Sequence, residues 1–125
     1  MQTYCKTLMA VDETVSIVMD YLKAAGFEQN AMIIYVGDNG FRWGKHGPID
    51  YSHFYEESVK VPLLVYAPGR FTFGQTVERM IQKVDVALAI LELAALKKPD
   101  YVQDKSFMQL LKGDTTNWRV KIFYE

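Results

Sequence analysis

An aspartate and an asparagine, Asp38 and Asn39, follow directly on the apolar run Met32-Ile33-Ile34-Tyr35-Val36 and lead through Gly40 into Gly44-Lys45-His46-Gly47. A carboxylate and a side-chain amide are hard oxygen donors of the kind that hold hard cations, and the carboxyl ends of strands are where open α/β sheets bind ligands. The same residues also spell a tight turn, because asparagine and glycine both tolerate positive φ. A hairpin turn needs a second alternating strand straight after it, and Phe41-Arg42-Trp43-Gly44-Lys45-His46-Gly47-Pro48 carries two glycines and a proline instead. On the residues alone, turn and ligand loop both stand.

A series of short motifs runs along the rest of the chain. Val11-Asp12 lies in a long helical pattern, followed by Asp38-Asn39-Gly40, Gly44-x-His46-Gly47, Tyr55-Glu56-Glu57-Ser58, Val61-Pro62-Leu63-Leu64 and Pro68-Gly69. Val84-Asp85, Ser106-Phe107, Leu110-Leu111-x-Gly113, Trp118-Arg119 and Tyr124-Glu125 complete it. Each is weak alone, but in this order and spacing they resemble the carboxyl-terminal half of a sulfatase, of the formylglycine-dependent branch of the alkaline phosphatase superfamily, from Tyr4 to Glu125. The resemblance implies that Asp38 and Asn39 give two oxygen ligands to a calcium ion that holds the sulfate against the nucleophile. Asn39 also discriminates within the superfamily, since the zinc-using phosphatases and many phosphodiesterases resemble Asp-His at this point, a nitrogen ligand suited to zinc.

Two departures from the family pattern bear on chemistry. The family nucleophile is a cysteine or serine in a pattern resembling Cys-x-Pro-Ser-Arg, oxidised to formylglycine, whereas the lone cysteine here sits in Cys5-Lys6-Thr7-Leu8-Met9 and is not that residue. The resemblance thus implies that the nucleophile, the other acidic calcium ligands and a catalytic histidine belong to an amino-terminal half absent from this chain. The second departure is Tyr51, which occupies the place of a sulfate-binding lysine five residues after His46. With His46 and Tyr51 as implied substrate-contacting positions, Lys45 and His53 are at hand to replace that cation, although a lysine and a histidine in a polar loop are more often solvated.

Composition agrees with one compact domain over residues 1–125. The chain is 50% hydrophobic and carries 14 basic against 15 acidic residues, so it can bury a core and offers no basic run for nucleic acid or an anionic membrane. A single cysteine excludes an internal disulfide. No apolar stretch reaches membrane-spanning length, and Met1 opens into helical sequence without the pattern of a leader. The resemblance implies an exported parent, periplasmic, secreted or lysosomal.

The elements that must position the loop follow from periodicity. Leu8, Val11, Val15, Val18 and Leu22 predict a helix over Tyr4–Ala25 stopped by Gly26, with Asp12 a partly exposed carboxylate of no assigned chemistry. Ala31–Val36 and Val61–Tyr66 are apolar on successive residues, as in strands buried on both faces. The connection from Gly37 to Lys60 far exceeds the usual ~4–6 residues, and long loops of this kind are commonly functional. Its Phe41, Trp43, Tyr51, Phe54 and Tyr55 serve as anchors or pocket walls. Glu56 and Glu57 are adjacent and hence poorly placed to converge on one substrate, which favours a solvated or lysine-paired role.

Beyond the turn Ala67-Pro68-Gly69-Arg70, a helix over Val86–Leu96 with Asp85 as its N-cap is apolar nearly all round and needs covering layers. Ser106 caps a short helix through Leu111 stopped by Gly113, Lys97-Lys98-Pro99-Asp100 is a linker, and Trp118 to Tyr124 alternates as a half-buried strand.

The expected fold is α/β, a partial sheet with flanking helices, part of an alkaline-phosphatase-like sulfatase fold ending in a short β segment. The function implied is that of a fragment of a sulfuric ester hydrolase acting on a sulfated small molecule or glycan, by attack of the hydrated aldehyde on sulfur, with calcium and formylglycine. A phosphodiesterase or phosphonate hydrolase of the same superfamily, favoured by Tyr51, and a non-catalytic metal-binding or interaction module, favoured by the missing nucleophile, are the alternatives. Apolar strands and an apolar helix without their full cover, and an unpaired terminal edge, predict self-association. Light scattering at micromolar concentration checks this, and a monomer that binds no hydrophobic dye would overturn it.

Overall fold

A computed structural model of the chain describes residues 2–40 and 56–122. They fall in two compact units, Met1–Phe73 and Gly74–Glu125.

The first unit opens with α1, Gln2–Ala24. Gly26, at φ +74°, terminates it in a Schellman motif: Phe27 N–H donates to Leu22 O at 2.8 Å and Gly26 N–H to Lys23 O at 3.1 Å. Val11, Val15, Met19 and Leu22 form the half-buried stripe, while Leu8 and Val18 are 47% and 46% exposed. Cover is thus concentrated on the second half of the helix, where Met19 and Leu22 border a small space lined also by Glu28, Ala31, Ile33 and Tyr66. Asp12 is exposed.

A 3₁₀ turn, Glu28–Asn30, leads into β1, Ile33–Val36. After the long excursion come α2, Glu56–Val59, and β2, Leu63–Tyr66. The strands pair antiparallel, Ile33 with Tyr66, Ile34 with Val65, Tyr35 with Leu64 and Val36 with Leu63. Both predicted strands are present, but neither is buried on both faces: Val36 and Leu64 are exposed and the rest half-buried. An apolar run dictates a strand; only flanking layers decide how many of its faces are covered.

Past the ladder, Gly37 N–H donates to Pro62 O at 3.1 Å, and a Cβ on Gly37 would lie 3.1 Å from Val61 Cβ. The two chain paths therefore close tightly just where the loop departs. At the other end of the sheet Tyr66 donates its hydroxyl to Glu28 Oε1 at 3.1 Å and stacks on Phe73 with ring centroids 5.8 Å apart. Loss of water around the phenol, and then the Glu28 carboxylate, raise the Tyr66 pKa. Arg70 N–H donates to Ala67 O at 3.2 Å across the expected Pro68-Gly69 turn.

In the second unit α3 spans Lys83–Leu93, three residues ahead of the range read from periodicity. Its N-cap is Gln82, in extended conformation, and Asp85 is the third residue of the first turn rather than the cap. The Asp85 carboxylate reaches back to accept the Gln82 N–H at 2.7 Å, so it answers a free helix-start amide from inside the helix. Asp85, Leu88 and Ala89 form the buried face, whereas Val84 and Ile90 are half-exposed, so α3 is covered on one side rather than all round.

Asp85 is fully buried, and Arg119 pairs with it through both guanidinium nitrogens, Nη1 to Oδ2 and Nη2 to Oδ1, the latter at 2.7 Å. Arg119 Nη2 also donates to Asp104 Oδ1 at 3.2 Å, and the guanidinium lies 5.1 Å from the Trp118 ring centroid. Trp118 in turn donates its indole N–H to Met80 O at 2.8 Å. The Asp85 hydrogen bond is the main reason the Arg119 pKa rises, outweighing the opposing effect of burial, with the charges of Asp85 and Asp104 adding to it. Of the strand expected over Trp118–Tyr124, residues 118–122 are not a strand, since no neighbouring strand pairs with them among the described residues, and Phe123 and Tyr124 lie outside those residues.

The remaining pieces follow the sequence closely. Ser106 Oγ accepts the Met108 N–H at 3.2 Å ahead of α4, Met108–Leu111, which Gly113 ends. Phe107, Met108, Leu110 and Trp118 are buried. No helix among the described residues is long and apolar enough to cross a membrane.

Two stability predictions follow. Ala95, just past α3, sits at φ +54° and closes a Schellman-type stop through Leu96 N–H to Leu91 O at 2.9 Å. An alanine there costs about 1–2 kcal/mol in backbone strain, against ~0.5–1 kcal/mol of extra unfolded-state entropy for glycine. Ala95→Gly is therefore expected to stabilise the chain by about 0.5–1 kcal/mol in urea unfolding, and a loss of stability would contradict this. Removing Arg119 alone (Arg119→Met) is expected to cost about 3–5 kcal/mol, because it strands a buried carboxylate, whereas Asp85→Leu combined with Arg119→Met should cost far less than the two single changes together. Additive losses in the double-mutant cycle would rule out a coupled pair.

Candidate functional site

Asp38, Asn39 and Gly40 leave the carboxyl end of β1 immediately after the close approach at Gly37. Asp38 and Asn39 are exposed. Asp38 Oδ1 accepts the Asn39 backbone N–H at 2.8 Å, and Asn39 Nδ2 donates to Gly40 O at 2.9 Å. The second bond fixes the orientation of the amide: its nitrogen is engaged, so Oδ1 is the outward acceptor. Asp38 Oδ2 and Asn39 Oδ1 are left without an intramolecular donor among the described residues, two hard oxygens on adjacent side chains.

The loop is held from its far side. Gly40 N–H donates to Ser58 O at 2.9 Å, a carbonyl left free because α2 is a single turn. Ser58 itself is buried, and its hydroxyl has no hydrogen-bond partner among the described residues. Glu56 makes an exposed ion pair with Lys60 at 3.1 Å, the lysine-paired role expected of it. Gly37–Pro62 and Gly40–Ser58 thus bracket the Asp38-Asn39 pair with two main-chain bonds. β1 pairs with β2 across the whole segment 37–62, so Asn39-Gly40 is not a two-residue connection between these two strands.

Lys45, His46, Tyr51 and His53, together with the aromatic residues Phe41, Trp43, Phe54 and Tyr55, lie outside the described residues. Among those described, no group of three or more histidine, cysteine, aspartate or glutamate side chains converges as a metal site. Cys5 is an exposed residue of α1, remote in sequence from the Asp38 loop and without the surrounding pattern of a modified nucleophile. Asp85, Asp104 and Arg119 satisfy one another and are structural. Sequence reasoning missed Ser58 as a support of the loop. A small polar residue one turn before an apolar strand was the only signal, and nothing in its type announces burial.

The family model described as N-sulphoglucosamine sulphohydrolase, C-terminal, matches residues 44–125. The chain belongs to this family, among the sulfatases of the alkaline phosphatase superfamily. It is 32% identical to an N-acetylglucosamine-6-O-sulfatase of Bacteroides thetaiotaomicron over 99% of its own length and 23% of that protein. It is 34% identical to an N-acetylglucosamine-6-sulfatase of Bos taurus over 96% of its own length and 22% of that one. A solved structure of a protein in complex with its substrate, D-glucosamine-2-N,6-O-disulfate, superposes with a TM-score of 0.84 at 32% identity, over 90% of this chain and 24% of that one. The sulfatase chain therefore spans under a quarter of the length of these relatives, and its fold is that of the corresponding part of the solved structure. The α/β expectation and the sulfatase resemblance both stand, including for the stretch from Tyr4 onward.

Proposed function

We propose that this chain forms the carboxyl-terminal part of a sulfatase that hydrolyses a sulfate ester or sulfamate on an amino sugar, with Asp38 and Asn39 holding calcium. The observation that carries the reading is the likeness, over nearly the whole chain, to two N-acetylglucosamine-6-sulfatases and to a structure holding a disulfated glucosamine. The donor set supports it locally. Two oxygen donors, one charged and one neutral, fit a hard cation, and an asparagine in place of histidine disfavours zinc.

Bound calcium would neutralise the sulfate and stabilise charge that develops as the ester bond breaks. This chain's own residues orient the ligands. Asn39 Nδ2 is held by Gly40 O and Asp38 Oδ1 by the Asn39 N–H, so Asn39 Oδ1 and Asp38 Oδ2 would be the oxygens to hold the cation. Calcium takes about 6–8 oxygens, so these two donors would be completed by other groups of the protein, by substrate or by water, and the family resemblance assigns the nucleophile to the amino-terminal half. His46, Lys45 and His53 are proposed to face the sulfate, with Tyr51 in place of the usual lysine.

The chain by itself is therefore expected to give no aryl sulfate turnover above background, and turnover that disappeared in Asp38→Ala would contradict that. In the complete reading frame carrying this chain, hydrolysis of glucosamine 6-sulfate should exceed that of the matching phosphate ester. Chelation of calcium, or Asp38→Ala, should lower kcat/KM by at least ~100-fold, as loss of a charged transition-state contact does. Preference for the phosphate ester would sink the sulfatase reading.

A further inference from the structure

Among the described residues, Ser58 Oγ is the buried side-chain oxygen or nitrogen that lacks a hydrogen-bond partner. The residue is only 5% exposed, so water does not readily compensate the hydroxyl. Such an uncompensated group is destabilising, and an alanine would occupy the same place without that cost. Ser58 is also the residue whose carbonyl receives the Gly40 N–H at 2.9 Å, which fixes its backbone against the loop that carries Asp38 and Asn39. A buried hydroxyl without a partner among the described residues, on the residue whose carbonyl holds the Asp38-Asn39 loop, is a group waiting for a partner.

We propose that Ser58 is a positioning residue for the Asp38-Asn39 loop: its carbonyl clamps Gly40, and its hydroxyl makes the hydrogen bond it lacks here only when the loop holds its cation. This rests on the calcium reading above. The bond formed on loading, either to a loop group or to a water bound with the cation, draws the equilibrium toward the loaded loop. Outer groups of this kind orient metal ligands without touching the metal.

Calcium titration calorimetry on the complete protein, with calcium-free thermal melts alongside, tests this in wild type, Ser58→Ala, Ser58→Cys and Asp38→Ala. Ser58→Ala and Ser58→Cys are both expected to weaken calcium about 10- to 100-fold, while the calcium-free melting temperature of Ser58→Ala stays level or rises. Cysteine keeps the shape but is a poor donor, so a packing role alone would leave it near wild type. Unchanged calcium affinity in Ser58→Ala, with Asp38→Ala losing affinity, overturns the role of Ser58 and leaves the metal reading intact. A weaker calcium affinity accompanied by a lower calcium-free melting temperature also overturns it, since that marks ordinary destabilisation. Unchanged affinity in Asp38→Ala removes the metal reading itself, and Ser58 with it.

Discussion

The antiparallel pairing of β1 with β2 is the constraint on which the loop region depends. It brings together residues separated by the whole segment 37–62, and closing a loop of that length costs about 3 kcal/mol in chain entropy beyond a constant. Four cross-strand pairs at ~0.2–1 kcal/mol each are of the same order, so the ladder alone leaves little margin. The extra main-chain bonds at Gly37–Pro62 and Gly40–Ser58 therefore matter more than their number suggests. They extend the closure past the last paired residues and deliver the Asp38-Asn39 pair at a defined place.

In the second unit the equivalent role falls to a buried charge. Asp85 is fully inaccessible and would be intolerable unpaired, which is why Arg119 meets it with two nitrogens. The pair joins the start of α3 to residues more than thirty positions later, and Trp118 reinforces the same connection through Met80 O. Ion pairs of this type are sensitive to loss of one partner and insensitive to replacement of both, so the pair specifies an arrangement more than it stabilises one. The acidic residue also does a second task at no further burial, since the oxygen that faces Arg119 also accepts the Gln82 N–H.

What could be read in the sequence was what local chemistry decides. α1 and its glycine stop, the two apolar strands, the Pro68-Gly69 turn, the short helix after Ser106 and the exposed loop at Asp38-Asn39 all follow from spacing and residue type. What could not be read was set by distant residues. Alternation at 118–122 signalled a strand, but no periodicity reveals that Arg119 is owed to Asp85 and Trp118 to Met80. Asp85 looked like a cap because aspartate commonly caps, and its actual position, three residues past the cap, is visible only once Gln82 is seen in extended conformation. The apolar runs at 33–36 and 63–66 dictated strands without dictating their cover, for the layers that cover a sheet lie elsewhere in a chain.

The same division explains the character of the Asp38-Asn39 loop. Two hard oxygen donors are written in Asp38 and Asn39, but the path of the loop that carries them comes from backbone bonds made by Gly37, Gly40, Ser58 and Pro62, where the side chain contributes little to the bond. A loop bracketed by main-chain hydrogen bonds tolerates varied side chains around it while keeping its path. Conversely, Ser58, whose buried hydroxyl has no hydrogen-bond partner among the described residues, is the place where a conservative change is expected to alter the loop without touching either proposed oxygen ligand. Under the proposed calcium reading, affinity would be tuned from behind the loop, because the two side chains are oriented by hydrogen bonds, and hydrogen bonds respond to a single donor added or removed.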